Sequence, residues 1–304
     1  MKRTTSATQP RLRKVVAQQT SGAELLGAHV STAGGPPTAL GRGAAIGATA
    51  IQLFTKTPNM WREPVVTPEI AAAFRAARDS HPVAVVVSHD SYLINLASPD
   101  PSLRARSIEA FQGELSRSEA LGLDGIVSHP GNFIEERDAG LERNAAALTE
   151  ALRKVPGRVR VFMETTAGTG TALGRSFEEL RTLRDLVAED VRHRVAFCAD
   201  TCHLFSAGYD LINDFDGVWT AWDKTLGLDL MGCVHLNDSK TPFHSHRDRH
   251  ELIGEGSLGL EPFRRLMNDA RFVAIPKILE TPKGDEDEVT NDRRMLALLR
   301  GMVA

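Results

Sequence analysis

A single (β/α)8 barrel, the TIM-barrel class, is the fold the sequence predicts, and three observations predict it. Eight short apolar runs alternate with helix-like segments. The runs are continuously apolar rather than alternating, which marks strands buried on both faces, as in a parallel sheet. The chain has 304 residues, enough for the roughly 250 that such a barrel takes, plus a tail. The alternative, a doubly wound open sheet, calls for a glycine-rich phosphate-binding turn after the first strand. Gly34-Gly35-Pro36-Pro37 does not have that pattern.

In chain order, strands are predicted at residues 25–30, 50–54, 83–87, 125–127, 159–163, 195–198, 231–234 and 275–279. Helices are predicted between them, at 68–79, 102–121, 136–154 and 176–189. Thr67 ahead of Pro68 and Ser176 ahead of Phe177 supply N-caps. Residues 1–22 stand apart, with Lys2, Arg3, Arg11, Arg13 and Lys14, many small polar residues and no acid. Such a segment cannot offset its ordering entropy and reads as a disordered basic tail. An organelle transit peptide and an auxiliary DNA contact are the other readings. The domain plan is a tail over 1–22 and a barrel over 23–304.

Composition narrows the class. At 42% hydrophobic and 25% charged the chain is globular. No apolar run approaches the ~20 residues of a membrane span, and the N-terminus lacks the apolar core of a secretory signal. Cys198, Cys202 and Cys233 include no CxxC pair, which argues against a disulfide framework or a cysteine-type zinc finger and for a reducing cytosol. The formal charge of −3 excludes a strongly basic domain, so any nucleic-acid contact must come from a local patch. No pattern calls for an oligomer, and a monomer is expected.

The chemistry stands at the strand ends. The third run leads to Ser88-His89-Asp90 and the fourth to Ser128-His129-Pro130. The fifth ends at Glu164, the sixth at Asp200 with His203 three residues on, the seventh at His235 and the eighth at Glu280. The loop after the seventh adds Asp248-Arg249-His250. Each alone has a bland explanation as a helix cap, an ion-pair partner or a hydrogen-bonded core residue. In a barrel, however, all project into one C-terminal mouth. Charges converging there would cost several kcal/mol each unless paired or metal-bound.

Five histidines (89, 129, 203, 235, 250) and four carboxylates (Glu164, Asp200, Asp248, Glu280) make nine donors. A catalytic zinc takes about three protein ligands and leaves a place for water, so nine donors suit two or three ions, with Glu164 available as a bridge. Imidazole-rich sets suit Zn, Fe or Mn better than Mg. Cys202, between Asp200 and His203, reads as a small packing residue. Clustered divalent ions fit phosphodiester hydrolysis, because they activate water and hold both the attacked phosphate and the leaving oxygen. Lys56 and Arg62 after the second strand, Lys240, His244, His246, Arg247 and Arg249 after the seventh, and Lys283 after the eighth place basic groups around the mouth, as phosphate steering requires.

His89-Asp-Ser-Tyr-Leu-Ile-Asn-Leu, Ser128-His-Pro-Gly, Glu164-Thr-Thr-Ala-Gly, Asp200-Thr-Cys-His203, His235-Leu-Asn-Asp-Ser-Lys, Asp248-Arg-His250 with Gly254-Glu-Gly, and Leu279-Glu280-Thr-Pro together resemble the endonuclease IV family of apurinic/apyrimidinic endonucleases, in order from about Gly27 to Pro282. The resemblance implies a barrel with three zinc ions that cuts damaged double-stranded DNA 5′ to an abasic site. The products would be a 3′-hydroxyl and a 5′-deoxyribose phosphate, and blocked 3′ ends would also be cleared. It implies that His89, His129 and Glu164 hold one ion. Glu164, Asp200, His235 and Glu280 would hold the second, and His203, Asp248 and His250 the third. Glu164 would be the catalytic bridge that orients the attacking water.

Tyr92 and Leu93 match the motif by which that family probes the minor groove. Two departures stand out. Asn59-Met60 replaces the usual Arg-Gln in Phe54-Thr-Lys-Thr-Pro-Asn-Met-Trp61, where Met60 or the neighbouring Arg62 is the substitute wedge, and Thr165 replaces the usual Asn. Lys56, Arg62 and Arg249 complete the expected DNA-contacting set. Two rivals remain: a sugar isomerase on the related barrel using two ions, and a non-catalytic DNA-damage binder.

Overall fold

The structure, a computed structural model, describes residues 24–284, 287 and 289–304; the tail expected over 1–22 lies outside the described residues. Eight parallel strands close into a barrel: β1 Leu26–His29, β2 Ala50–Phe54, β3 Val85–His89, β4 Gly125–Ser128, β5 Arg160–Glu164, β6 Val195–Asp200, β7 Met231–His235 and β10 Lys277–Leu279. Each pairs with its neighbour in sequence, and β10 closes on β1 through Leu26↔Lys277. Two short strands, β8 Asp238–Ser239 and β9 His250–Glu251, pair antiparallel outside the barrel and bracket the loop between them.

Because side chains alternate across a strand, the buried residues fall into two sets. Val86, Ile126, Val161, Met163, Val195, Phe197 and Leu279 pack outward against the helices. Val87, Val127, Phe162, Cys198, Cys233 and Ile278 fill the interior. The same parity, two residues further on, gives His89, His129, Glu164, Asp200, His235 and Glu280. A donor at or just past the end of each of six strands is therefore an inward residue one pleat above an inward apolar residue.

β7 reaches this phase through an irregularity. Phe197 pairs with Met231 and Cys198 with Cys233, so Gly232 is an extra residue in the ladder, a β-bulge. A Cβ on Gly232 would lie 2.4 Å from the Phe162 ring, so only glycine fits there.

The helices begin as their caps dictate. Thr67 accepts from the Ile70 amide ahead of Pro68–Ser80, Asp100 from Ser102 and Leu103 ahead of Pro101–Leu121, and Ser176 from Glu179 ahead of Phe177–Leu186. The helix expected over 176–189 is two helices. Buried Val187 is extended (ψ 137°), which ends Phe177–Leu186 before Glu189–Arg192 begins. The third strand starts at Val85 rather than 83 and runs through His89. Among the described residues, no helix is long and apolar enough to cross a membrane.

Candidate metal centre

All nine predicted donors meet at the C-terminal mouth. His129 Nε2 lies 3.1 Å and His89 Nε2 3.4 Å from Glu164 Oε2. His235 Nδ1 lies 3.0 Å from Glu164 Oε1, 3.1 Å from Glu280 Oε2 and 3.9 Å from Asp200 Oδ2. His203 Nε2 and His250 Nε2 lie 3.2 and 3.3 Å from Asp248 Oδ1. Within each of the three groups the ligand atoms are within 4.8 Å of one another, and Glu164 belongs to two of them.

These spacings fit an ion. Bonds of about 2.0–2.1 Å in tetrahedral geometry put two ligand atoms roughly 3.3 Å apart. Buried Glu164 Oε2, His203 Nε2 and His250 Nε2 have no hydrogen-bond partner, although leaving such atoms unpaired is costly. Donor chemistry, spacing and orphaned atoms all suit divalent cations.

Local structure aims each donor. Asp200 closes β6 and caps the next helix, Thr201–Ala207, its Oδ1 accepting from the His203 amide at 2.8 Å. That one contact fixes His203 in the first turn. The outer ring nitrogens are mostly anchored on backbone: His203 Nδ1 to Thr165 O at 2.8 Å, His89 Nδ1 to Asp90 O at 2.9 Å and His250 Nδ1 to Glu280 O at 3.3 Å. Such contacts set which nitrogen faces the centre.

Electrostatics show what the cluster does alone. Burial by itself would lower the His89 pKa, but the adjoining Glu164 carboxylate, with Asp90 behind, outweighs it and raises it to about 9. Burial would raise Glu164, yet His235 and His129 hold it well below the usual carboxylate range. Glu164 therefore favours a proton on His89, which a bound cation would displace.

Several participants were not foreseen in the sequence. Fully buried Gln52 reaches His235 Nε2 at 2.8 Å and Glu280 Oε1 at 2.5 Å. Its parity was the available signal, since it stands one pleat above Ala50 as the donors stand above their apolar residues. His29, whose pKa burial lowers to about 3, contacts Gln52 at 3.0 Å. Asn237 donates to Asp200 Oδ2 at 2.6 Å and accepts from the Glu280 amide at 2.9 Å. Asp238 accepts from the amides of Ser239, Gly254, Gly256 and Leu258 at 2.7–3.1 Å, which pins the Gly254-Glu-Gly segment against the hairpin carrying Asp248 and His250.

The expected DNA-contacting residues divide. Tyr92 and Met60 are 62% and 50% exposed, Asn59, Arg62 and Arg249 are exposed and Leu93 is half-buried. Tyr92 stands edge-on to Phe54, 5.5 Å between ring centres. Arg106 lies over the Trp61 ring at 4.4 Å and ties down the loop that carries Asn59 and Met60. Lys56 is the correction. Its side chain is buried and its ammonium pairs with Glu63, which also binds Arg117, so its charge is not presented at the rim. Lys283 likewise contacts Asp292 at 2.8 Å. A cavity of about 580 Å³ opens beside His129 and His203, with Asn132, Thr169, Arg247 and Arg249 in its walls.

Comparison with known proteins agrees with this geometry. Residues 40–300 match the family model described as xylose isomerase-like TIM barrel. A protein of Trichlorobacter lovleyi named "Probable endonuclease 4" is 44% identical over 283 residues, covering 92% of this chain and 99% of its own length. The chain belongs to the endonuclease IV family. It is accordingly a nuclease, of the DNA-repair class. The crystal structure of endonuclease IV from Thermus thermophilus superposes with a TM-score of 0.81 at 34% identity, over 91% of this chain and 98% of that one. The 3-keto-D-glucoside 4-epimerase of E. coli shares the fold at a TM-score of 0.64 and only 16% identity, over 92% of this chain and 100% of its own. With the sugar enzymes, the likeness is of fold alone.

Proposed function

We propose that this endonuclease IV family member is a zinc-dependent abasic-site endonuclease. It would cut duplex DNA on the 5′ side of the lesion to leave a 3′-hydroxyl and a 5′-deoxyribose phosphate, and would also clear blocked 3′ ends. The observation that carries the reading is that the nine donors form three groups at ligand spacing, two of them sharing Glu164. His89, His129 and Glu164 would hold one zinc, Glu164, Asp200, His235 and Glu280 a second, and His203, Asp248 and His250 the third. Manganese or iron would suit the same donors in one or more positions. When bound, the ions lower the pKa of a water and neutralise the phosphate in line with it.

The chain's own groups do the rest. Glu164 presents one carboxylate oxygen to each of two groups and so orients whatever lies between them. The fixed imidazoles hold the centre without reorganisation. Arg249 and Arg247 line the cavity on the phosphate side. Tyr92, Leu93, Asn59, Met60 and Arg62 would enter the minor groove, with Met60 as an unbranched wedge. One chain supplies all nine donors, so a monomer suffices, and three free cysteines suit a reducing cytosol.

The test is a zinc-reconstituted preparation on a labelled duplex with one synthetic abasic residue. Incision giving a 3′-hydroxyl that a polymerase extends, with about three ions per chain by elemental analysis, is expected. An intact strand under those conditions overturns the reading, and turnover of a ketose or aldose instead would move the chain to the sugar enzymes.

A further inference from the structure

The amide of Gln52 touches no reacting group, yet it is fully buried in β2 against the centre. We propose that Gln52 is a positioning residue that fixes the tautomer of His235, so that Nδ1 is the nitrogen offered to a cation. The proposal rests on the ligand reading above and assigns a role to a residue outside it.

The orientation of the amide follows from its neighbours. Glu280 Oε1, 2.5 Å away, is a carboxylate oxygen and only accepts, so the Gln52 NH2 must face it. The second amide proton points to His29 Nδ1 at 3.0 Å. Both donors of Gln52 are then in use, and Oε1 is left towards His235 Nε2 at 2.8 Å. An oxygen that only accepts requires a proton on Nε2. A neutral imidazole carries one proton, so Nδ1 keeps its lone pair.

Nδ1 faces Glu164 at 3.0 Å and Glu280 at 3.1 Å. Without Gln52 these carboxylates would favour the proton on Nδ1, the tautomer that cannot ligate there. The Nδ1 atoms of His89, His203 and His250 contact backbone carbonyls; the outward nitrogen of His235, Nε2, instead meets a side chain. The same amide also steadies Glu280, so one residue orients two donors of the middle group.

The test uses the full chain loaded with zinc. In the long-range 1H–15N spectrum, His235 is expected to be protonated at Nε2 with zinc on Nδ1, a measurement that needs no variant. Gln52→Ala should weaken one of the three zinc sites about 10–100-fold in competition with a chromophoric chelator, and should lower kcat while KM for the abasic duplex holds. Zinc on Nε2 of His235, or a variant with unchanged zinc competition, overturns the proposal. Zinc content of the unmutated chain separates the two failures. A chain that binds no zinc overturns the ligand reading and this proposal with it, whereas a fully loaded chain with His235 ligating through Nε2 overturns the role of Gln52 alone.

Discussion

One pleat separates two very different layers of the barrel interior. The lower is apolar: Val87, Val127, Phe162, Cys198, Cys233 and Ile278 pack together with almost no exposure. The upper holds His89, His129, Glu164, Asp200, His235 and Glu280, of which Glu164, Asp200 and His235 are equally buried. Strand β5 shows the gradient on its inward residues, with half-buried Arg160 over the Phe162 ring at 5.1 Å, then Phe162, then Glu164. The lower layer gains from leaving water, while the upper one loses by it unless each charge finds a partner. Stability and chemistry are thus assigned to different levels of the same strands.

Four changes would break or sharpen that division. The largest effect is expected from Glu164→Gln: incision should fall by at least about 10²–10³-fold, while gel-shift affinity for abasic DNA holds. Unchanged turnover would mean that the upper layer does not depend on its shared carboxylate. Phe162→Ala should do the reverse and cost about 3–5 kcal/mol in urea unfolding. Its incision rate per folded molecule at low temperature should stay near that of the parent.

Stripping the ions with a chelator should abolish incision reversibly and lower the melting temperature, because ligands that bind only the folded state stabilise it. An unaltered melting curve would show that the upper layer is self-sufficient. The smallest effect concerns fit. A Cβ on Gly125 would sit 2.4 Å from the Phe162 ring, so Gly125→Ala should cost about 1–3 kcal/mol. Adding Phe162→Leu should return part of that in a double-mutant cycle.

Six of the donors were legible because each stands at the end of an apolar run, where the residue type alone announces a change of task. Asp248 and His250 were legible as further donors in the loop after the seventh run, although the β8–β9 hairpin that lifts them over the mouth was not, since two-residue strands leave no periodic signal. Gln52 was hidden because it lies inside a run and means something only once inward and outward faces are known. Lys56 misled for a related reason. A lysine after a strand reads as a rim charge, and its burial depends on Glu63 and on Arg117 from a distant helix. Pairings made across the fold are what one-dimensional reading cannot supply.

The bulge at Gly232 has a consequence for how this barrel tolerates change. Alternation is a binary code, and an odd number of residues added to or removed from a strand inverts everything downstream of it. The extra residue in β7 is the phase correction that brings Cys233, and hence His235, to the inner face. Loss of that one small residue would turn the imidazole towards the helices while leaving composition and hydrophobicity almost untouched. The strands of this protein therefore accept substitution far more readily than a change in length by one, and the metal content of a preparation would report the fraction of its molecules that closed in phase.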